Sequence, residues 1–109
     1  MRMEGLGVDV SLIERFQDKE DLARRILSPA EWETYRTSPS PAAFLSSRFS
    51  VKEAYVKASG DKSVDYRDLE VRKDAEGKPT LFLKGKKVDC LLSLSHDFVS
   101  VAVLILKKG

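Results

Sequence analysis

One uninterrupted stretch, residues 41–59, restricts what the rest of the chain can do. Pro41 follows Ser40, where proline starts helices, and Gly60 stands where helices end, so the pair predicts a helix over Pro41–Ser59. Phe44, Leu45, Phe49, Val51, Tyr55 and Val56 cover much of its circumference, and a helix apolar on most sides is central and buried. On the helical period, Ser50, Glu53 and Lys57 share one face, and Arg48, Lys52 and Ser59 share an adjacent one. Two readings stay open. Glu53 precedes Lys57 at the spacing of a helical ion pair worth about 0.2–0.5 kcal/mol, which makes these residues a solvated charged face. Alternatively, a carboxylate and several cations beside an apolar surface point to a metal and phosphate site.

The length of 109 residues suits one domain with one core. With 19 basic and 17 acidic residues the net charge is +2, too balanced to argue for nucleic acid by itself. Cys90 is the lone cysteine, so no intrachain disulfide forms, as in a reducing compartment. The opening Met1-Arg2-Met3-Glu4-Gly5 has no apolar run suited to a signal peptide. No stretch approaches the roughly 20 apolar residues of a membrane span. The expectation is a cytoplasmic protein without membrane contact.

Leu6 to Val10 reads as a first strand. Ser11 to Phe16 reads as a helix start, with Ser11 as cap and Glu14 at the capping-box spacing. Asp21 to Leu27 is a second short helix, and Ser28-Pro29-Ala30-Glu31 opens a third running to about Tyr35. After Gly60 and a polar loop, Leu69 and Val71 face Leu81 and Leu83 across a turn at Asp74 to Pro79. Leu91 to His96 and Val99 to Ile105 alternate on either side of an Asp97-Phe98 turn. Helices first and antiparallel strands after indicate an α+β fold.

Asp9 stands at the end of an apolar strand, where it either caps the next helix or binds a metal. Asp9 and Glu53 are isolated carboxylates on the two most apolar segments of the front half. Mg²⁺ takes one or two carboxylates and completes its shell with phosphates and water, so the pair suits a diphosphate-bearing substrate. His96 is the single histidine, either structural or, beside Ser95, a donor to phosphate. Phosphate-loop, dinucleotide and zinc signatures are absent.

Taken together and in order, several segments resemble the holo-acyl-carrier-protein synthases, a family of 4′-phosphopantetheinyl transferases. They are Gly5-Leu6-Gly7-Val8-Asp9, Glu14-Arg15, Arg25-Ile26-Leu27 with Glu31 downstream, Arg48-Phe49 through Lys52-Glu53-Ala54 to Lys57-Ala58, Asp74 to Pro79, and Ser93-Leu94-Ser95-His96. The resemblance implies one transferase domain over residues 1–109, with an antiparallel sheet packed against one long central helix. It implies transfer of 4′-phosphopantetheine from coenzyme A to a serine of apo acyl carrier protein, in support of fatty acid biosynthesis. Asp9 and Glu53 match the family's magnesium carboxylates, and Lys57 stabilises the leaving phosphate. Arg48, Lys52, Lys57, Gly60, Ser95 and His96 are the implied coenzyme A contacts. Arg15, Arg24 and Arg25 are implied to meet the acidic carrier protein, and the assembly is a homotrimer.

Three features depart from the family pattern: Gly60-Asp61-Lys62-Ser63 where relatives carry Gly-Thr-Gly, a short segment between Gly85 and Leu91, and acidic Asp18, Glu20 and Asp21 among the docking cations. The competing reading is a non-catalytic phosphate- or nucleic-acid-binding module built on Arg48, Lys52, Lys57 and Lys84 to Lys87. A purely structural α+β subunit is the third. Asp9 with Glu53 discriminates, because an anion-binding module gains nothing from two carboxylates in its site.

Overall fold

The computed structural model describes residues 2–108. Along the chain run β1 (Arg2–Leu12), a 3-10 turn (Ile13–Phe16), α1 (Glu20–Ile26), α2 (Pro29–Thr37) and α3 (Pro41–Ser59). A second 3-10 turn (Tyr66–Asp68), β2 (Leu69–Lys73), β3 (Pro79–Leu83), β4 (Lys86–Lys87), β5 (Cys90–His96) and β6 (Val99–Lys108) complete it. All strand pairs are antiparallel. They divide into two three-stranded sheets, ordered β1-β6-β5 and β2-β3-β4, and together with the long α3 make the α+β fold that the element order indicates.

α3 has the predicted bounds. Gly60 ends it in the left-handed region at φ 73°, a conformation glycine adopts without a Cβ penalty. Its burial follows from apolar residues on several sides. Leu45 joins a cluster with Phe16, Ala23, Ile26, Leu27 and Tyr35. Val51, Ala54 and Tyr55 join a second with Leu69, Leu81, Ala102 and Leu104. One helix is thus the shared wall of both cores, and each fully buried Leu or Val contributes about 1.5–3 kcal/mol.

At Gly5 and Gly7, β1 lies against α3 with no side chain between the two backbones. A Cβ on Gly5 would stand 1.9 Å from the Ala58 carbonyl oxygen, and one on Gly7 1.8 Å from that of Ala54. Strand alternation then places Gly5, Gly7, Asp9 and Ser11 on the helix-facing side. This corrects the expected helix at Ser11. The strand runs on to Leu12, with Ser11 opposite Ser100 of β6, and the following 3-10 turn has no side-chain cap. Ser11 is buried and bonds to Ser50 of α3 at 2.7 Å. A second hydroxyl pair, Ser46 with Ser100 at 2.9 Å, continues the seam.

The capping box at Ser28 forms as expected, with Ser28 Oγ accepting from the Glu31 N–H and Glu31 Oε1 accepting from the Ser28 N–H. Glu31 does more than cap. It is buried, takes the Val71 N–H on Oε2 at 2.8 Å, and holds the Lys52 ammonium on Oε1 at 2.6 Å. Lys52 also donates to the carbonyls of Ile26 at 2.6 Å and Tyr66 at 2.9 Å.

Two outcomes test this framework. Gly7→Ala forces a side chain into a backbone carbonyl, so the loss should reach or exceed the roughly 1–3 kcal/mol typical of overpacking. An unchanged urea midpoint would show that β1 does not bear on α3. Lys52→Met strands the buried Glu31 carboxylate and should cost about 3–5 kcal/mol, much of it recovered in a Lys52→Met, Glu31→Leu double variant. Equal unfolding curves for the wild type and Lys52→Met would contradict the hub.

Candidate active site

The glycine contacts set β1 antiparallel to α3, with Gly5 at Ala58, Gly7 at Ala54 and Ser11 at Ser50. Asp9 therefore sits beside the turn of α3 that carries Glu53. Lys57 reaches back to it, donating to Asp9 Oδ1 at 3.2 Å and to the Val8 carbonyl at 3.1 Å. Ser11 Oγ donates to Asp9 Oδ2 at 3.1 Å. Ser11 has one hydroxyl proton, so Ser50 supplies the proton of the Ser11–Ser50 bond. The result is a directed chain of hydroxyls ending on a carboxylate.

Asp9 keeps 11% of its side chain exposed and Lys57 52%, so the cluster opens to solvent at one end. Glu53 is half-buried and accepts a hydrogen bond on Oε1 from the Tyr66 phenol. Burial raises the Tyr66 pKa well above the usual tyrosine value, and the charges of Glu53 and Asp9 push the same way. One phenol thus senses both carboxylates. Among the described residues no third histidine, cysteine or carboxylate completes a metal cluster. The donors are oxygens on two carboxylates, the set that suits Mg²⁺ when substrate phosphate and water fill the rest of its shell. The Lys57 ammonium on Asp9 shows that the site already accommodates a positive charge.

A second group lies across α3. Arg48 and His96 line a cleft of about 390 Å³ with Ser38, Ser47, Phe44 and Lys73. The Arg48 guanidinium stacks 4.1 Å from the Phe44 ring centroid and donates from Nη1 to Ser47 at 3.0 Å. Its Nε is buried without a hydrogen-bond partner. Burial lowers the Arg48 pKa, with Glu31 opposing, but a guanidinium stays charged. A larger hollow of about 480 Å³ at the start of α3 carries Asp18 and Asp97 and no cation, so it does not suit a phosphate.

The two groups occupy opposite edges of one sheet. On the helix-facing side of β1-β6-β5, the register runs Asp9, Ala102, Leu94 in one row and Ser11, Ser100, His96 in the next. The outer strands lie two strand spacings, about 10 Å, apart with α3 over the sheet. Ser95, one residue before His96, points to the opposite face beside Val101 and is exposed. Gly60 is exposed at the helix end, and Arg15, Arg24 and Arg25 are exposed on the first turn and α1. Arg24 pairs with Glu20 at 3.8 Å and lies 4.3 Å over the Trp32 ring.

Lys52 is a correction. The helical period grouped it with Arg48 as a phosphate contact, yet it is 0% exposed and its three protons are spent on Ile26, Glu31 and Tyr66. Burial pushes its pKa below the ordinary lysine value while Glu31 pulls it back. Three participants escaped the sequence reading: Tyr66, Lys73 and the Ser11–Ser50 link. Only the last had a signal, the every-second-residue continuation from Gly5 through Ser11.

A family model described as the 4′-phosphopantetheinyl transferase superfamily matches residues 5–104. A holo-[acyl-carrier-protein] synthase of Yersinia pestis is 42% identical over 94% of this chain and 88% of its own length. One from Yersinia pseudotuberculosis is 41% identical with the same coverage. Among solved structures, a holo-(acyl-carrier-protein) synthase from Bacillus anthracis in complex with CoA (3′,5′-ADP) aligns over 100% of both chains, at 31% identity and TM-score 0.84. The Thermotoga maritima synthase aligns over 98% of this chain and 65% of its own, at 33% identity and TM-score 0.83. With the match running through β1, α3 and β5, the elements that carry Asp9, Glu53, Lys57 and His96, the chain belongs to the 4′-phosphopantetheinyl transferase superfamily, among the holo-acyl-carrier-protein synthases.

Proposed function

We propose that this chain transfers the 4′-phosphopantetheine arm of coenzyme A to a serine hydroxyl of an apo acyl carrier protein, in support of fatty acid biosynthesis. The serine oxygen forms a bond to the β-phosphorus and gives up its proton. The pyrophosphate bridge breaks, and 3′,5′-ADP leaves with the bridging oxygen. The observation that carries this reading is the β1–α3 contact that brings Asp9 to the turn of α3 bearing Glu53, with the half-exposed Lys57 paired to Asp9.

Asp9 and Glu53 would hold Mg²⁺, which when bound supplies charge neutralisation and polarises the phosphate under attack. Lys57 offers its ammonium at the mouth of the same cluster, where negative charge grows on the leaving phosphate. Ser11 and Ser50 fix the Asp9 carboxylate, so its orientation is set before substrate arrives. Arg48 and His96 bind the outer phosphates of coenzyme A, and Gly60 and Ser95 lie at the margins of the same ligand.

Arg48 and His96 lie at the sheet edge away from Asp9, a placement that fits a coenzyme A site shared between two copies of the chain. This supports a homotrimer with sites between subunits. The outer face of β1-β6-β5 supports it too: Leu6, Val8 and Val10 are 53%, 45% and 60% exposed, opposite Ile105, Val103 and Val101. The whole chain acts as one domain in the cytoplasm. Among the described residues no helix is long and apolar enough to cross a membrane.

Mass spectrometry of apo carrier protein after incubation with coenzyme A, Mg²⁺ and this chain should show the added phosphopantetheine. Asp9→Ala and Glu53→Ala should each abolish the mass shift while costing at most about 1–2 kcal/mol of stability. Near-normal transfer by both would sink the assignment. Lys57→Ala should lower kcat more than it raises KM for coenzyme A, as expected of a charge that matters most in the transition state. A pure KM effect would instead make Lys57 a ground-state contact.

Arg15, Arg24 and Arg25 are exposed and face the carrier protein in this reading. Attraction of this kind weakens as the screening length falls from about 10 Å at 0.1 M salt to about 3 Å at 1 M. Arg15→Glu and Arg24→Glu should slow carrier-protein turnover at low salt with coenzyme A affinity intact. Unaltered rates and salt dependence in both would place docking elsewhere.

A further inference from the structure

Glu53 does not set its own orientation. Its Oε1 accepts from the phenol of Tyr66, a residue in the loop beyond the end of α3. Tyr66 is fixed by its own contacts. Its carbonyl accepts from the buried Lys52 ammonium at 2.9 Å. Its ring lies 6.4 Å from that of Phe49, tilted by 55°. The 3-10 turn that it opens is capped by Asp65, whose carboxylate accepts from the Arg67 N–H at 2.9 Å.

A carboxylate has two oxygens, each with two acceptor sites. The phenol takes one site on Oε1, which leaves Oε2 and the remaining Oε1 site for a cation. A half-buried glutamate without such a partner would sample several side-chain rotamers. With it, one oxygen of Glu53 is held by the phenol and the other is left without a protein donor among the described residues. The arrangement has the form of an outer partner orienting a metal ligand. It is also relayed, because the Lys52–Glu31 ion pair holds the Tyr66 backbone in place.

We propose that Tyr66 is a positioning residue for the divalent cation: its phenol holds Glu53 in the orientation that receives the ion, and Lys52 holds Tyr66. The inference rests on the reading that Asp9 and Glu53 bind the metal.

Tyr66→Phe keeps the ring against Phe49 and the carbonyl bond to Lys52 and removes one donor. Mn²⁺ serves as the probe, with its free concentration read by electron paramagnetic resonance in the presence of saturating coenzyme A. The Mn²⁺ dissociation constant of Tyr66→Phe should rise about tenfold, the lower end of the range for lost outer partners. The Mg²⁺ concentration for half-maximal transfer should rise by the same factor, with kcat largely recovered at saturating Mg²⁺ and the melting temperature little moved. An unchanged or smaller Mn²⁺ constant overturns the inference, whatever happens to stability. Glu53→Ala separates the two levels. If it weakens Mn²⁺ binding and Tyr66→Phe does not, the inference alone falls. If neither variant weakens it, the two-carboxylate reading falls and the inference falls with it.

Discussion

The ammonium of Lys52 ties more of this molecule together than any other single group. Its three protons go to the last carbonyl of α1, the capping carboxylate at the start of α2 and the backbone of Tyr66. Glu31 extends the reach to β2 through the Val71 N–H. A buried charge pair with every proton satisfied is tolerable, whereas either half alone is not. The cation also satisfies the Ile26 carbonyl, one of those that a helix end leaves without an intrahelical donor. Five segments are therefore interdependent through one side chain that never meets solvent. The half-buried carboxylate of Glu53, the next residue, inherits that fixed frame.

α3 divides the chemistry as well as the cores. Its β1 side carries the carboxylates and Lys57, and its far side carries Arg48 and the cleft with His96. Arg48 is thereby kept apart from Asp9 and Glu53, whereas Lys57 stays paired with Asp9. The outer face of the same sheet carries an exposed apolar strip of Leu6, Val8 and Val10.

Local signals carried the parts of this structure whose physics is local. Pro41 and Gly60 bracket α3 because each acts on the backbone where it stands. The Asp74 to Pro79 turn was legible for the same reason: the Asp74 side chain accepts from the N–H groups of Glu76 and Lys78, both at 2.9 Å. Asp9 and Glu53 stood out because a carboxylate on an apolar segment needs a partner or a use. What failed was decided at long range. Ser11 has the spacing of a cap, but pairing with Ser100 and the bond to Ser50 outweigh it. Lys52 sits near Arg48 on a helical projection, and only the arrival of α1, α2 and the Tyr66 turn buries it. Tyr66 itself has no local signature. The pairing of β6 with the first strand of the chain likewise has no local signature, because no window of the sequence contains both.

The glycines of β1 have a consequence for how the site can change over time. Because main-chain atoms meet at Gly5 and Gly7, the gap between β1 and α3 at that end of the seam does not depend on the size of any side chain. Substitutions in either core can repack without moving that contact. The orienting groups around them, Ser11, Ser50 and Tyr66, are side chains and so remain free to vary. Drift in sequence would then retune how firmly the carboxylates are held while the backbone contact at Gly5 and Gly7 stays in place.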